Sequence, residues 1–131
     1  MKSFRVIIAG CRKFTDYDLL CKKCDRMLSE KVKTHKVIVM SAHATAADAL
    51  GERYAKERGF ILETYPAEWG KYGKKAGPKR NLRMAEAANA IVAFWDGESR
   101  GTKNIIDLAN MKGIPVKVVR IDAGKEVKKN G

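Results

Sequence analysis

The sequence predicts one α/β domain, a parallel sheet of about five strands with helices on both faces. Three observations lead to this fold class. Short apolar, β-branched runs alternate along the chain with longer segments of helical periodicity. Each predicted helix is long enough to connect one parallel strand to the next. The length of 131 residues and the apolar fraction of 45% suit a single domain with its own core.

The predicted strands are short apolar runs that end at a glycine, a proline or a polar loop. They cover residues 4–9, 36–40, 60–65, 90–95 and 115–121. The helices between them follow ordinary start and stop signals, such as proline in the first turn and glycine after the last one. One opens at Thr15–Asp18 with Thr15 as its N-cap, and the others cover 46–58, 78–88 and 102–112.

Two segments fall outside this alternation. The polar segment 66–78 is longer than most loops of compact domains, and its Trp69 and Tyr72 argue against simple disorder. Residues 123–131 contain one sizeable apolar side chain, Val127, which is too little to offset the entropy of ordering. We therefore expect the domain to span residues 1–122 and residues 123–131 to form a disordered basic tail.

The formal net charge is +12 at pH 7. A basic surface attracts anions, so phosphate-bearing molecules and nucleic acid are candidate partners, although a solvated lysine coat would explain much of the excess. No apolar run approaches the roughly 20 residues of a membrane helix, and the first residues lack the pattern of a signal peptide. We therefore expect a cytoplasmic protein without a membrane partner.

Three cysteines make a disulfide framework improbable in a chain with no export signal. Cys21 and Cys24 have the spacing of a metal-binding pair, but no second pair or nearby histidine completes four ligands. We expect neither a metal site nor a cofactor.

The strand order predicts where a ligand would bind. In doubly wound sheets, ligands lie beyond the carboxyl ends of the strands at the point where the order reverses. The expected order 3-2-1-4-5 places this crevice between the first and fourth strands. Its loops are 10–15, 41–48 and 96–102. Gly10 would allow close backbone approach, Arg12 offers a planar donor fork, and the helix start at Ser99–Thr102 favours an anion.

We predict a phosphate site at this crevice. The candidate ligand-binding residues are Gly10, Arg12, Ser41, Ala42, Ala46, Asp48, Arg80, Asn81, Asp96, Ser99, Arg100, Gly101 and Thr102. Individually, these signals have plainer explanations, because Gly10 could be a turn and Thr102 a helix cap. Arg80 and Asn81 begin the helix before the fourth strand and could point into the crevice. His43 is a further candidate, but a single loop histidine is more often incidental.

Four segments together match one known family. They are 9–16 (AGCRKFTD), 47–55 (ADALGERYA), 76–84 (AGPKRNLRM) and 94–104 (FWDGESRGTKN). With them, the chain resembles the YspA-like, cpYpsA-related branch of the SLOG superfamily, whose members include the Lonely-Guy phosphoribohydrolases and the DNA-processing protein Smf/DprA. The resemblance implies a Rossmann-like fold, a nucleotide or nucleotide-derived ligand and a homo-oligomer, at whose interface Trp69 and Tyr72 could lie.

The family's functional residues carry over only in part. Arg80 matches the catalytic arginine of the phosphoribohydrolases, and Gly101-Thr102 matches the Gly-Thr of their glycine-rich motif. Their catalytic glutamate position holds Ile105, which places N-glycosidic hydrolysis in doubt. After the second strand, Ala42 and Ala46 occupy positions that are usually glycine, and this predicts a weaker phosphate loop.

Three functions are compatible with these residues. The first is a module that senses or sequesters a nucleotide or a nucleotide-derived phosphate ligand. The second is a nucleoside-monophosphate phosphoribohydrolase in which Arg80 orients the substrate and Asp48 or Glu98 replaces the missing glutamate. The third is DNA or RNA binding, which charge alone indicates. Release of free base from AMP-like substrates would identify the second function, and steep salt dependence of oligonucleotide binding the third.

Overall fold

The computed structural model describes residues 1–122 and 125–127. It contains one sheet in the order β3-β2-β1-β4-β5-β6. Its strands are β1 (Lys2–Gly10), β2 (His35–Ser41), β3 (Ile61–Thr64), β4 (Ala90–Trp95), β5 (Val116–Asp122) and β6 (Lys125–Glu126). The first five strands pair in parallel, and β6 is antiparallel to β5. The predicted α/β fold is confirmed, with β1 and β4 adjacent at the centre of the sheet.

Helices cover both faces of the sheet. They are α1 (Tyr17–Leu28), α2 (Lys31–Thr34), α3 (Ala46–Arg58), α4 (Trp69–Tyr72), α5 (Ala76–Ala87) and α6 (Arg100–Lys112), and a 3₁₀ turn at Gly73–Lys75 joins α4 to α5. On one face, α1 and α3 pack against alternate strand residues such as Val6 and Phe94. On the other face, α5 and α6 enclose Ile7 and Ile91. In the described part of the chain, no helix is long and apolar enough to cross a membrane.

Local helix signals differ from the prediction in three places, one of which is α6, which begins at Arg100 with Ser99 as its N-cap and not at Thr102. The cap of α1 is Asp16, whose Oδ1 accepts the N–H of Leu19 at 3.0 Å, and not Thr15. The segment predicted as a polar loop is largely helical, and α5 begins at Ala76, ahead of the predicted start at Pro78. Proline fits there because residues of a first turn need no N–H donor.

Residues 125–127, which fall within the segment predicted as a disordered tail, pair with β5 in the structure. Lys125 and Glu126 form β6, and the N–H of Val127 donates to the carbonyl oxygen of Arg120 at 2.7 Å. Lys23 on α1 forms an ion pair with Glu126 at 2.9 Å. The pairing satisfies backbone groups that the edge of β5 would otherwise expose. Residues 123–124 and 128–131 lie outside the described residues.

Gly10 allows β1, β4 and α3 to approach one another closely. A Cβ on Gly10 would lie 2.6 Å from the Cβ of Ala47 and 3.2 Å from the carbonyl oxygen of Phe94. The carbonyl oxygen of Gly10 accepts a hydrogen bond from Thr45 Oγ1 at 3.2 Å. The sequence suggested that this glycine admits a ligand, but in the structure the space is taken by the N-terminus of α3.

Candidate functional site

A cleft of about 840 Å³ lies beyond the carboxyl ends of β1 and β4. Its floor is apolar and includes Ile7, Ile8, Met84 and Ile105. Its walls come from the loops after β1, β2 and β4, together with α4 and the first turns of α5. This is the position that the strand order predicts for a ligand site.

Eleven of the thirteen predicted residues line this cleft: Gly10, Arg12, Ala42, Asp48, Arg80, Asn81, Asp96, Ser99, Arg100, Gly101 and Thr102. Ser41 does not, because its side chain is buried and its Oγ donates to Glu52 Oε2 at 2.8 Å. Ala46 does not either and is an exposed first residue of α3. Sequence reasoning missed Trp69, Gly77 and Asn104 as lining residues. Trp69 could have been identified from the sequence because it is an aromatic residue in a polar, glycine-rich segment.

The first turn of α6 presents free backbone donors to the cleft. Asp96 Oδ1 accepts the N–H groups of Glu98 at 2.9 Å and Ser99 at 2.7 Å, and these bonds hold the pKa of Asp96 below its usual range. Trp95 Nε1 donates to the carbonyl oxygen of Ser99 at 3.0 Å and fixes the same turn. The next three N–H groups, of residues 100–102, have no acceptor among the described residues. Such a helix start suits an anion.

The loop that leads into α3 is held by the protein's own carboxylate. Asp48 Oδ2 accepts the N–H groups of Ala44 at 2.9 Å and Thr45 at 3.0 Å, and the N–H of Asp48 donates to Thr45 Oγ1 at 3.1 Å. This reciprocal capping box occupies donors that an anion would otherwise use. Asp48 is buried, and burial raises the pKa of its carboxyl even though these hydrogen bonds lower it. Asp48 therefore shapes the loop rather than offering a free carboxylate.

In the loop after β2, His43 has a left-handed backbone conformation, with φ of 56°. No other non-glycine residue in the described ranges has a positive φ, so Ala42 and Ala46 fit without strain. The N–H of His43 donates to Ser41 Oγ at 3.1 Å, and its Nδ1 lies 2.7 Å from Glu52 Oε2. The hydrogen bond to Glu52 raises the pKa of His43. His43 therefore anchors the loop and does not line the cleft.

Arg80 is held by the protein at two of its three nitrogens. Its Nε donates to Asn81 Oδ1 at 2.8 Å, and its Nη1 donates to the carbonyl oxygens of Ala42 at 2.9 Å and Tyr65 at 3.4 Å. Its Nη2 has no hydrogen-bond partner in the part of the chain that the structure describes. Partial burial lowers the pKa of Arg80. One oriented donor of a half-buried cation is thus available to a ligand.

Asn81 connects α5 to α6. Its Nδ2 donates to Asn104 Oδ1 at 2.9 Å and to the carbonyl oxygen of Gly101 at 3.4 Å. Its Oδ1 accepts from Arg80. Asn81 was predicted to reach a ligand, but its polar atoms are used to hold Arg80 next to the first turn of α6.

Positive charge in the cleft is more available than negative charge. Arg12 and Arg100 are exposed and have no hydrogen-bond partner within the described ranges. The carboxylates of Asp48 and Asp96 are already engaged by backbone N–H groups. Glu98 is exposed at the rim. The groups that remain for a ligand are mainly cations and N–H donors, which suit phosphate.

The chain matches known proteins over most of its length. Residues 4–72 match the model of a family described as YAcAr: YspA, cpYpsA-related SLOG family. Gene 61 protein of Mycobacterium phage D29 is 34% identical over 122 residues, which cover 86% of this chain and 93% of the phage protein.

A solved structure has a similar fold. The X-ray structure of the structural genomics target TM1055 superposes with a TM-score of 0.59 and 18% identity, covering 88% of this chain and 72% of that chain. At this level of identity, the likeness concerns the fold alone.

Proposed function

Because this chain belongs to the YspA, cpYpsA-related SLOG family, we propose that it binds a nucleotide or a nucleotide-derived phosphate ligand in the cleft beyond β1 and β4. One observation carries the proposal. Within the part of the chain that the structure describes, the unpaired N–H groups of residues 100–102, the unpartnered cations Arg12 and Arg100, and the free Nη2 of Arg80 border the same cleft. Backbone donors and guanidinium groups around one concave space recognise phosphate by charge and by geometry.

Binding is favoured over hydrolysis by the carboxylates of the cleft. Ile105, at the position of the phosphoribohydrolase glutamate, is buried in the cleft floor. The carboxylate of Asp48 is engaged by two N–H groups, which leaves exposed Glu98 as the acid that an enzyme would need. We therefore propose sensing or sequestration of the ligand. If the protein instead releases adenine from AMP, and Glu98→Gln loses this activity, the protein is a phosphoribohydrolase.

Native mass spectrometry of protein purified without dialysis tests the proposal directly. We expect a mass increment that corresponds to a retained nucleotide and disappears after denaturation. Calorimetry with nucleoside 5′-monophosphates, ribose 5-phosphate and inorganic phosphate then measures affinity. Neither a retained ligand nor binding of any of these compounds would contradict the proposal. If oligonucleotides bind instead, with an affinity that falls steeply as salt rises, the partner is nucleic acid.

Arg12→Ala should weaken binding of a phosphate-bearing nucleotide while leaving Tm nearly unchanged. Arg12 is exposed in the cleft, so its loss removes a charge-assisted hydrogen bond without disturbing the core. Such a bond contributes roughly 1.5–3 kcal/mol, or about 10- to 100-fold in Kd. Arg26→Ala, an exposed arginine on α1 outside the cleft, is the matched control. Equal affinity of both variants in calorimetry would remove Arg12 from the site.

Gly101→Ala should reduce nucleotide affinity by at least about tenfold, or about 1.4 kcal/mol, without lowering Tm. No heavy atom lies within 4 Å of a Cβ on Gly101, so the free protein has room for the methyl group, and alanine is the better helix former. We expect a phosphate bound to the N–H groups of residues 100–102 to meet that Cβ, because the Cα–Cβ bonds of a helix tilt toward its N-terminus. Gly70→Ala is the control, because Gly70 is also helical and open but lies outside the cleft. Unchanged affinity in Gly101→Ala would argue against phosphate at this helix start.

A further inference from the structure

Trp69 gives the cleft an uncovered aromatic surface. It begins α4, lines the cleft and is 59% exposed. Among the described residues that line the cleft, it is the only aromatic one. No other ring and no cation stacks on it within the described part of the chain. An indole exposed in this way leaves a large apolar face in contact with water, which is unfavourable unless a ligand or a partner covers it.

The neighbouring aromatic residue is different. Tyr72 lies at the other end of α4, is 37% exposed and does not line the cleft. Its ring is covered by two cations, since Lys71 Nζ and Lys79 Nζ lie 5.1 and 4.8 Å from its centroid. Side chains of the protein itself thus cover the ring of Tyr72, whereas the ring of Trp69 remains open to a ligand.

Gly77 lies next to both Trp69 and Arg80, whose free Nη2 is one of the proposed phosphate-binding groups. A Cβ on Gly77 would lie 3.4 Å from Trp69 Cη2 and 3.9 Å from Arg80 Nη2. The indole and the unpartnered guanidinium nitrogen therefore flank the same glycine at the cleft wall. A ligand that accepts a hydrogen bond from Arg80 Nη2 comes within reach of the indole, so one molecule can contact both groups.

We propose that Trp69 is a stacking platform for the base of the ligand, which makes the ligand class a nucleotide with an intact planar base rather than a sugar phosphate or free phosphate. This inference rests on the proposed function, because the phosphate is held by Arg80 and the first turn of α6. Stacking accepts any base, since every base has a π-face. It contributes roughly 5- to 100-fold in affinity per base.

Calorimetry with two ligands separates this inference from the proposed function. The ligands are AMP and ribose 5-phosphate, which share the sugar phosphate and differ in the base, with GMP, CMP and UMP as alternatives to AMP. We expect wild type to bind a monophosphate more tightly than ribose 5-phosphate. Trp69→Ala should lose roughly 5- to 100-fold of the affinity for the monophosphate and none of that for ribose 5-phosphate. Tyr72→Ala, the matched aromatic control, should change neither value.

Trp69→Phe retains a smaller stacking surface. It is the control for the case in which Trp69→Ala loses affinity because the structure of α4 is perturbed and not because stacking is lost. It should bind the monophosphate within a few-fold of wild type, while the ligand-induced change in tryptophan fluorescence is largely lost. Equal affinity of wild type and Trp69→Ala for every monophosphate overturns the stacking role. An equal loss for the monophosphate and ribose 5-phosphate also overturns it, because Trp69 then acts on the phosphate site. If wild type binds none of these ligands, the proposed function fails, and the stacking role fails with it.

Discussion

Replacing Arg80 by alanine should weaken nucleotide binding by on the order of 100-fold, about 3 kcal/mol, at the upper end of the range expected for substitutions in the cleft. The change removes a half-buried charge that offers Nη2 to the ligand. It also removes the hydrogen bond from Nη1 to the carbonyl oxygen of Ala42, which holds the loop after β2 against α5. Calorimetry with the best-binding nucleoside monophosphate measures this loss directly.

Two further variants separate charge from geometry at this position. Arg80→Lys keeps the charge but cannot donate to Asn81 and Ala42 while still offering an oriented nitrogen to a ligand, so it should restore only a small part of the affinity. Arg83→Ala removes an exposed arginine of the same helix outside the cleft and should bind as wild type does. Arg80→Ala with wild-type affinity would show that the phosphate lies away from α5.

Replacing Gly10 by alanine should lower stability by about 1–3 kcal/mol and Tm by roughly 4–12 °C. The added methyl group would lie 2.6 Å from the Cβ of Ala47, closer than two carbon atoms can pack, so α3 must move away from the ends of β1 and β4. Thermal unfolding followed by circular dichroism measures the change. Gly101→Ala provides the control, because it makes the same substitution where space is open.

The clash at Gly10 can be tested through its partner. Ala47→Gly alone should cost about 0.5–1 kcal/mol, because glycine weakens the first turn of α3. Combined with Gly10→Ala, it removes the methyl group that the new one meets, so the double variant should be more stable than the sum of the two single losses predicts. Strictly additive losses would mean that the carbonyl oxygen of Phe94, at 3.2 Å, is the contact that matters.

The periodicity of the chain determined most of the fold. Apolar runs and helical segments alternate so regularly that strand order, crossovers and the position of the cleft could be predicted from them. The cap of α1 could not, because Thr15 and Asp16 are both good N-caps and only the local backbone path decides between them. The strand at residues 125–126 was missed because it depends on the exposed edge of β5, which a sequence pattern does not reveal.

The position of the cleft was predicted more successfully than the roles of the residues that line it. Residues on three loops were correctly expected to come together, since strand ends that are adjacent in the sheet bring their loops together. The partners of polar side chains were not predictable. Asp48 and Asp96 looked like ligand contacts, yet each is engaged by two N–H groups of its own loop. Alanine in place of glycine at positions 42 and 46 predicted a weaker phosphate loop, and in the structure neither residue has a positive φ, which falls on His43 instead.

The bridge from Arg80 through Asn81 to Asn104 and the carbonyl oxygen of Gly101 ties two helix starts into one unit. Because Arg80 Nε and both polar atoms of the Asn81 side chain already have partners, the orientation of the bridge is set before any ligand arrives. Preorganisation of this kind reduces the conformational entropy that association would otherwise remove. Because this bridge connects the first turns of α5 and α6, a displacement of one would also displace the other. The distance between Arg80 Nη2 and the N–H groups of residues 100–102 is therefore held nearly constant, which would favour a ligand whose acceptor groups have a matching spacing.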